Sequence, residues 1–190
     1  MKRIDPSETF FLVRESPFGP FAIVWSVHAG EPRVCRVLLS NPKLAVREAP
    51  RKWSPASTPS TCRDISEVAD RIEAFLHGSD VRFCLGAIRL DLCSEFQQQV
   101  LRAEYGIPRG CVSTYQRIAH HLGRSSGARS VGQALASNPF PLMIPCHRAI
   151  RTDRTLGGYQ GGPAMKTALL EMEGITFDDT GHLAVGHIFY

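Results

Sequence analysis

The stretch 138–148, which reads Asn-Pro-Phe-Pro-Leu-Met-Ile-Pro-Cys-His-Arg, limits most strongly how this chain can fold. Its prolines fix φ and lack an amide hydrogen, so the segment cannot be a helix. We therefore expect a stiff, extended segment between two regions of regular structure. At its end Cys146 stands between Pro145 and His147, and Arg148 follows.

The neighbours of Cys146 favour a reactive thiol. Cationic side chains lower the pKa of a thiol, and a base beside a nucleophile is the general arrangement that activates it. Neighbouring side chains of an extended chain point to opposite faces, so we expect a water to connect Cys146 with His147. The alternative is an inert cysteine buried in an apolar loop, which is a common situation.

The charge of the chain is unevenly distributed. The net charge is +4, but positions 109–154 hold seven arginines, no lysine and one acid, which gives this part +6 and leaves −2 for the rest. A basic stretch predicts a polyanionic partner, most naturally nucleic acid, and the guanidinium fork suits phosphate. The alternative is a solvated surface with a chance excess of arginine.

Length and composition predict a globular protein. The chain has 190 residues, of which 43% are apolar, enough for one large domain or two small ones. No apolar run reaches the length of a membrane-spanning helix. The first residues, Met-Lys-Arg-Ile-Asp-Pro, lack the apolar core of a signal peptide, so we expect an intracellular protein with reduced cysteines.

Metal binding is not favoured by the cysteine pattern. The six cysteines form no C-x-x-C pair, which speaks against a zinc ribbon or a thioredoxin-like motif. His28 with Cys35 or Cys62 would be an alternative metal site, but isolated residues at such spacing are usually structural. We expect no metal and no cofactor.

The first half of the chain is predicted to form a small antiparallel sheet. Apolar runs separated by turn residues give its strands, at 10–14, 21–27 and 34–39. The Pro/Ser-rich stretch 41–63 reads as a linker that is ordered only if it packs on something. A helix follows from Ser66 to His77. Two more short strands are predicted, at 81–85 and 88–92.

The second half changes to a helical pattern. Capping boxes at 94–97 and 113–116 open two helices, the second of which runs to Leu122. Another helix begins at Ser126 or Gly127 and ends near Ala136, so the pair reads as a helix-turn-helix. The glycine-rich loop 156–162 precedes a helix that Pro163 begins. A last short strand is predicted at 183–188.

Two side chains in these helices suggest more than packing. In the second helix of the pair, Val131 and Leu135 should face the core, which turns Arg129 outward among small residues. Such a bare helix suits the minor groove of DNA, although a tightly packed core pair is the alternative. Glu173 ends the last helix, where a carboxylate opposes the helix dipole, and this unfavourable position suggests a functional role for Glu173.

Taken together, these motifs resemble the O6-alkylguanine-DNA alkyltransferases, also called methylated-DNA–protein-cysteine methyltransferases. The resemblance lies in Pro-Cys-His-Arg at 145–148, Asn-Pro at 138–139 and Gly-Gly-Tyr-Gln-Gly-Gly at 157–162. It is specific from about Ser94 to Gly174. It implies an α+β fold, with a small N-terminal antiparallel-sheet (RNase H-like) domain at 1–92 and a mostly helical winged-helix/helix-turn-helix domain at 93–190.

The resemblance also implies a reaction. It is DNA repair by irreversible, single-turnover transfer of the alkyl group from O6-alkylguanine, and less so from O4-alkylthymine, to Cys146. His147 would take the thiol proton through a water, and Glu173 would orient the imidazole. Asn138 would brace the turn before the cysteine. Tyr115 would help rotate the DNA backbone and give a proton to the leaving guanine.

A DNA surface and a guanine pocket are implied as well. Double-stranded DNA would bind through its minor groove, with Arg129 replacing the extruded base. Other DNA contacts would come from Ala128, Ser130, Gly132, Gln133 and Tyr115. The pocket would be walled by Tyr159, Gln160, Gly161, Ala149, Pro141 and Arg148. We expect a monomer in the cytoplasm on the nucleoid, or in the nucleus of a eukaryote, with cooperativity along DNA left open.

Three other classes of protein remain as alternatives. A non-enzymatic damage sensor of the alkyltransferase-like class would lack the acceptor cysteine, whereas Cys146 is present. A Cys-His hydrolase would act on acyl substrates without DNA. A winged-helix transcription factor would tolerate the loss of the Cys146 thiol.

Overall fold

The computed structural model describes residues 9–42, 45–184 and 188–190. These residues form two compact units. The first unit holds the described residues up to Ser94 together with Pro139–Met143, and the second holds Glu95–Asn138 and Ile144–Tyr190. No helix in the described ranges is long and apolar enough to cross a membrane.

The first unit is built on a four-stranded sheet with the order β3-β2-β1-β4. Strands β1 (Thr9–Arg14), β2 (Phe21–His28) and β3 (Glu31–Leu39) pair antiparallel in sequence, which confirms the predicted antiparallel core of the sheet. Strand β4 (Thr58–Pro59) pairs parallel with β1, so the sheet as a whole is mixed.

The predicted linker at 41–63 contains regular structure in its described part. Helix α1 (Ala49–Trp53) and strand β4 both lie within it. Ala49 and Val46 are buried against residues of β1 to β3, so the stretch is ordered where it packs. Helix α2 (Arg63–Leu76) follows, and its N-cap is Cys62 and not Ser66, the predicted cap.

The strands predicted at 81–85 and 88–92 are wrong. The chain instead makes two single 3₁₀ turns there, Leu85–Ala87 and Leu90–Leu92. Their amides bond locally, with Ala87 N donating to Cys84 O at 3.1 Å and Cys93 N donating to Leu90 O at 3.0 Å. Only one point of the second run pairs with the sheet, where Ile88 makes an isolated parallel bridge with Val34 and Arg89 N donates to Val34 O at 2.8 Å. Apolar residues in a short run fit either structure.

The proline-rich segment 138–148 is less uniformly extended than predicted. Pro139 O accepts a 2.8 Å hydrogen bond from Val37 N of β3, which attaches this part of the segment to the sheet of the first unit. Leu142 has a φ of 71°, in the left-handed region, and Cys146–Arg148 forms a 3₁₀ turn. Proline removes donors but leaves carbonyl acceptors, and these acceptors allow the turns.

The second unit is mainly helical. Helix α4 packs against α5, and α3 packs against both. Its elements are α3 (Glu95–Tyr105), β5 (Ser113–Thr114), α4 (Tyr115–His121), α5 (Ala128–Ala136), β6 (Ala149–Ile150) and α6 (Gly162–Met172). The helices α4 and α5 match the predicted helix-turn-helix. Of the strand predicted at 183–188, residues 185–187 lie outside the described residues.

The start of α4 differs from the predicted capping box. Thr114 is the N-cap, and its Oγ1 accepts a hydrogen bond from Arg117 N at 3.1 Å. Ser113, the predicted cap, is held in β5 and donates its hydroxyl to Phe189 O at 2.8 Å. Pairing of β5 with β6 keeps Ser113 extended and moves the start of the helix by one residue.

We expect the Thr114 hydroxyl to contribute to the free energy of unfolding. Thr114→Val keeps the shape of the side chain and removes the cap, so it should lower this free energy by about 1 kcal/mol. Thr114→Ser keeps the hydroxyl and should cost less. Urea denaturation measures both, and a Ser variant less stable than the Val variant would contradict the capping role.

Candidate active site and nucleic-acid surface

Three consecutive candidates share one buried turn. Cys146, His147 and Arg148 form a 3₁₀ turn in which Arg148 N donates to Pro145 O at 2.8 Å. Their exposed fractions are 7%, 0% and 8%, so all three lie in the interior of the second unit. The turn leads directly into β6, which fixes its direction.

The Cys146 thiol is governed by burial. Burial raises its pKa to about 12, while a hydrogen bond from the Asn138 side chain and the charge of Lys166 lower it. We expected His147 and Arg148 to lower the pKa of Cys146 and favour its thiolate form, and this expectation is wrong. Desolvation of a charge outweighs these neighbours, so the thiol holds its proton at neutral pH and needs a base.

His147 is a neutral imidazole with a defined tautomer. Burial lowers its pKa, against the opposing effect of Glu173. The distance from Nε2 to Glu173 Oε1 is 2.9 Å, and a carboxylate can only accept, so Nε2 carries the hydrogen. Nδ1 is then the basic nitrogen of the ring, which gives His147 the chemistry of a general base.

Glu173 is held as a carboxylate by two neighbours. Burial alone would raise its pKa, but hydrogen bonds from His147 and Arg148 prevail and lower the pKa to about 2. Arg148 donates a hydrogen bond to each carboxylate oxygen, from Nε to Oε2 and from Nη2 to Oε1, both at 2.8 Å. Its Nη1 donates to Ile107 O at 2.6 Å, and this bond, two residues beyond the end of α3, holds the guanidinium beside Glu173.

Asn138 holds the turn that precedes the cysteine. It directly follows the C-cap of α5, and its Nδ2 donates to Ile144 O at 3.2 Å in the interior. Its side chain also hydrogen-bonds the Cys146 thiol. The amide therefore connects the end of α5 with the reactive residue.

Tyr115 and the glycine-rich loop lie next to each other. A Cβ on Gly157 would stand 2.5 Å from the Tyr115 hydroxyl, so only glycine lets the loop approach this closely. Gly161 is likewise closed in by Met165 and the Tyr159 ring. The Tyr159 ring meets His147 edge-on, with ring centroids 6.1 Å apart.

The remaining pocket candidates take different places. Ala149 is fully buried in β6, and Gln160 is half-buried in the loop. Pro141 belongs to the segment Pro139–Met143, which groups with the first unit. Arg148 is engaged by Glu173, as described.

Lys166, which was not among the predicted site residues, holds the glycine-rich loop. Its side chain is fully buried, and Nζ donates to the carbonyl oxygens of Ala149, Leu156 and Gly158, with 2.6 Å to Ala149 and 3.4 Å to Gly158. Burial lowers its pKa to about 8. Lys166 is the only lysine after Lys52, and this rarity was a signal in the sequence.

Glu104 on α3 was also missed. It is fully buried, and burial raises its pKa to about 8. It follows Val100 by four residues and so continues the apolar stripe of its helix, where a carboxyl group is out of place. An acid within the apolar stripe of α3 is the sequence feature that could have identified Glu104.

Helix α5 presents the expected surface. Val131 and Leu135 are 0% and 5% exposed, whereas Arg129, Ser130 and Gln133 are exposed, which confirms the predicted orientation. Ala128 and Gly132 are half-buried beside them. The helix therefore offers one long cation among small residues.

A cationic groove lies along α4. Its volume is about 620 Å³, and among the described residues its lining includes no acid. The charged and titratable side chains that line it are Arg117, His120, His121, Arg154 and Tyr190. Such a groove suits an anion.

Comparison with known sequences gives one consistent answer. A family model described as 6-O-methylguanine DNA methyltransferase, DNA binding domain, matches residues 95–175. The methylated-DNA–protein-cysteine methyltransferase of Methanothermobacter thermautotrophicus is 40% identical over 162 residues, which cover 85% of this chain and 84% of that protein. The Mycobacterium leprae protein of the same name is 41% identical over 109 residues, covering 57% and 64%.

Solved structures agree with this answer. Mycobacterium tuberculosis OGT in complex with DNA has a TM-score of 0.68 and 30% identity, over 86% of this chain and 92% of that chain. The Pyrococcus kodakaraensis O6-methylguanine-DNA methyltransferase, with a TM-score of 0.66 and 21% identity over 87% and 99%, agrees in fold. The predicted α+β fold class is confirmed, and the chain belongs to the methylated-DNA–protein-cysteine methyltransferase family.

Proposed function

We propose that this protein repairs O6-alkylguanine in duplex DNA, and O4-alkylthymine less readily, by transferring the alkyl group to Cys146. The observation that carries the proposal is the buried array of Cys146, neutral His147 and ionised Glu173. Such an array can deprotonate a thiol that burial keeps protonated. The same thiol without a positioned base would be inert.

The reaction balances as a displacement at carbon. His147 Nδ1 takes the thiol proton through a bridging water, and Glu173 stabilises the imidazolium that results. The Cys146 sulfur forms a bond to the alkyl carbon while the bond from that carbon to guanine O6 breaks. Tyr115 gives a proton to the leaving guanine. Burial is the main cause that raises the pKa of Tyr115 to about 12, so its hydroxyl stays protonated at neutral pH.

Recognition of DNA is assigned to α5. The helix enters the minor groove, with Ala128, Ser130, Gly132 and Gln133 close to the backbone. Extruding the target nucleotide costs a few kcal/mol, and Arg129 offsets part of it by filling the stack. The groove along α4 takes the phosphates of one strand. Tyr159, Gln160, Gly161 and Ala149 then wall the guanine.

Each protein molecule reacts once, and it acts as a monomer. Its product is a thioether, which thiols do not reduce, and the chain has no C-x-x-C partner to resolve it. We place it as a monomer wherever cellular DNA lies, in the cytoplasm on the nucleoid or in a nucleus. Cooperative binding along DNA is compatible with this role.

Cys146→Ala should abolish transfer and keep DNA binding, because it removes only the acceptor sulfur. Mass spectrometry after incubation with methylated duplex should show one methyl on the Cys146 peptide of the wild type. The exposed Cys84→Ala is the matched control and should react normally. Many turnovers per protein, or a methyl elsewhere, would contradict the proposal.

Glu173→Gln should slow transfer by at least about tenfold, part of the 10²–10⁴ that a positioned general base supplies. The amide cannot hold His147 and Arg148 as an anion does. Single-turnover rates with a benzylguanine probe measure the effect. Glu171→Gln, on the exposed face of the same helix, is the control, and equal rates for the two variants would exclude the relay.

Arg129→Ala should slow the repair of duplex DNA about tenfold. This corresponds to about 1.4 kcal/mol of the free-energy cost of base extrusion, which Arg129 would no longer offset. Its reaction with free benzylguanine should stay unchanged, because no stack is opened. The exposed Arg102→Ala removes the same charge elsewhere and serves as the control. Equal losses with duplex and with free probe would reject the role of Arg129 in the stack.

A further inference from the structure

Glu104 is a buried acid that the mechanism above leaves unused. Its exposed fraction is 0%, and neither carboxyl oxygen has a hydrogen-bond partner among the described residues. Val100 and Leu101 on the same helix are fully buried apolar residues. A polar group without partners costs stability in such a place, so packing alone does not explain a glutamate there.

Glu104 lies among the groups that carry out the reaction. Helix α3 packs against the Cys146–Arg148 turn and against α4. The titratable groups that act on Glu104 or feel its charge come from all surrounding elements. They are Lys166 of α6, Arg148 and Cys146 of the turn, Tyr115 of α4 and Tyr190. Tyr190 donates its hydroxyl to Ala103 O at 2.9 Å, one residue before Glu104.

We propose that Glu104 is a positioning residue of the transfer site, which permits alkyl transfer as a neutral acid and opposes it when ionised. Neutral Glu104 leaves the positive charge of Lys166 free to favour the Cys146 thiolate. Ionised Glu104 adds one negative charge beside the sulfur, whatever the state of Lys166. This inference rests on the proposed function.

The two effects of an ionised Glu104 act in the same direction. A negative charge raises the pKa of Cys146, which disfavours the attacking thiolate. It also raises the pKa of Tyr115, which makes this group a poorer proton donor to guanine. Burial raises the pKa of Glu104 to about 8, so the neutral form dominates at neutral pH and the anion appears above it.

The test is the pH profile of the single-turnover rate with benzylguanine, from about pH 6 to about pH 10, for the wild type and Glu104→Gln. Glutamine mimics the neutral acid, so the two rates should agree near pH 7. Above about pH 8 the variant should become faster than the wild type by about tenfold, as one added charge shifts a neighbouring pKa by about a unit or more.

Matched variants separate the possible results. Glu95→Gln, exposed on the same helix, should keep the profile of the wild type. Glu104→Leu is a second neutral replacement, and above about pH 8 it should also react faster than the wild type. Identical profiles for the wild type and both Glu104 variants would overturn the proposal. Absence of label on Cys146 at every pH would instead overturn the proposed function.

Folding of the variants is checked by urea denaturation at pH 7. A buried acid with a raised pKa binds a proton on folding, so its stability contribution falls as pH rises from about 4.5 to about 8. Glu104→Gln avoids this cost and should be at least as stable as the wild type. A less stable Gln variant would show that the carboxyl group has a structural role and would overturn the proposal.

Discussion

The shared carboxylate of Glu173 is the interaction on which the site depends. It binds His147 and Arg148 at once, and both partners are buried with it. A buried charge is tolerated only when it is paired and hydrogen-bonded, and here the pairing prevails over desolvation. The same contact fixes the tautomer of the imidazole and thereby decides which nitrogen can act on the thiol.

Desolvation sets the chemistry of every other group around the thiol. It raises the pKa of Cys146, Tyr115 and Glu104 and lowers that of Lys166. All four groups therefore keep their protons at neutral pH. A thiol that stays protonated at neutral pH is protected from oxidation and from other electrophiles, because the thiolate is the reactive form.

Helices α4 and α5 are connected to the buried thiol by short segments of chain. Tyr115 begins α4, and Asn138 follows the end of α5 and reaches the Cys146 loop. Lys166 binds three carbonyl oxygens around the glycine-rich loop. A change in the position of either helix would therefore alter the surroundings of the sulfur and of the loop.

The sequence by itself determined the family resemblance and most of the helices and strands, because helix periodicity, proline and the Cys-His-Arg motif are local signals. It predicted the outward direction of Arg129 and the helix end at Glu173 correctly. The tertiary structure alone decided that Cys146 has a raised pKa, that Arg148 supports Glu173, and that Glu104 and Lys166 are buried. Desolvation depends on what distant segments exclude from water, and no local pattern contains that information.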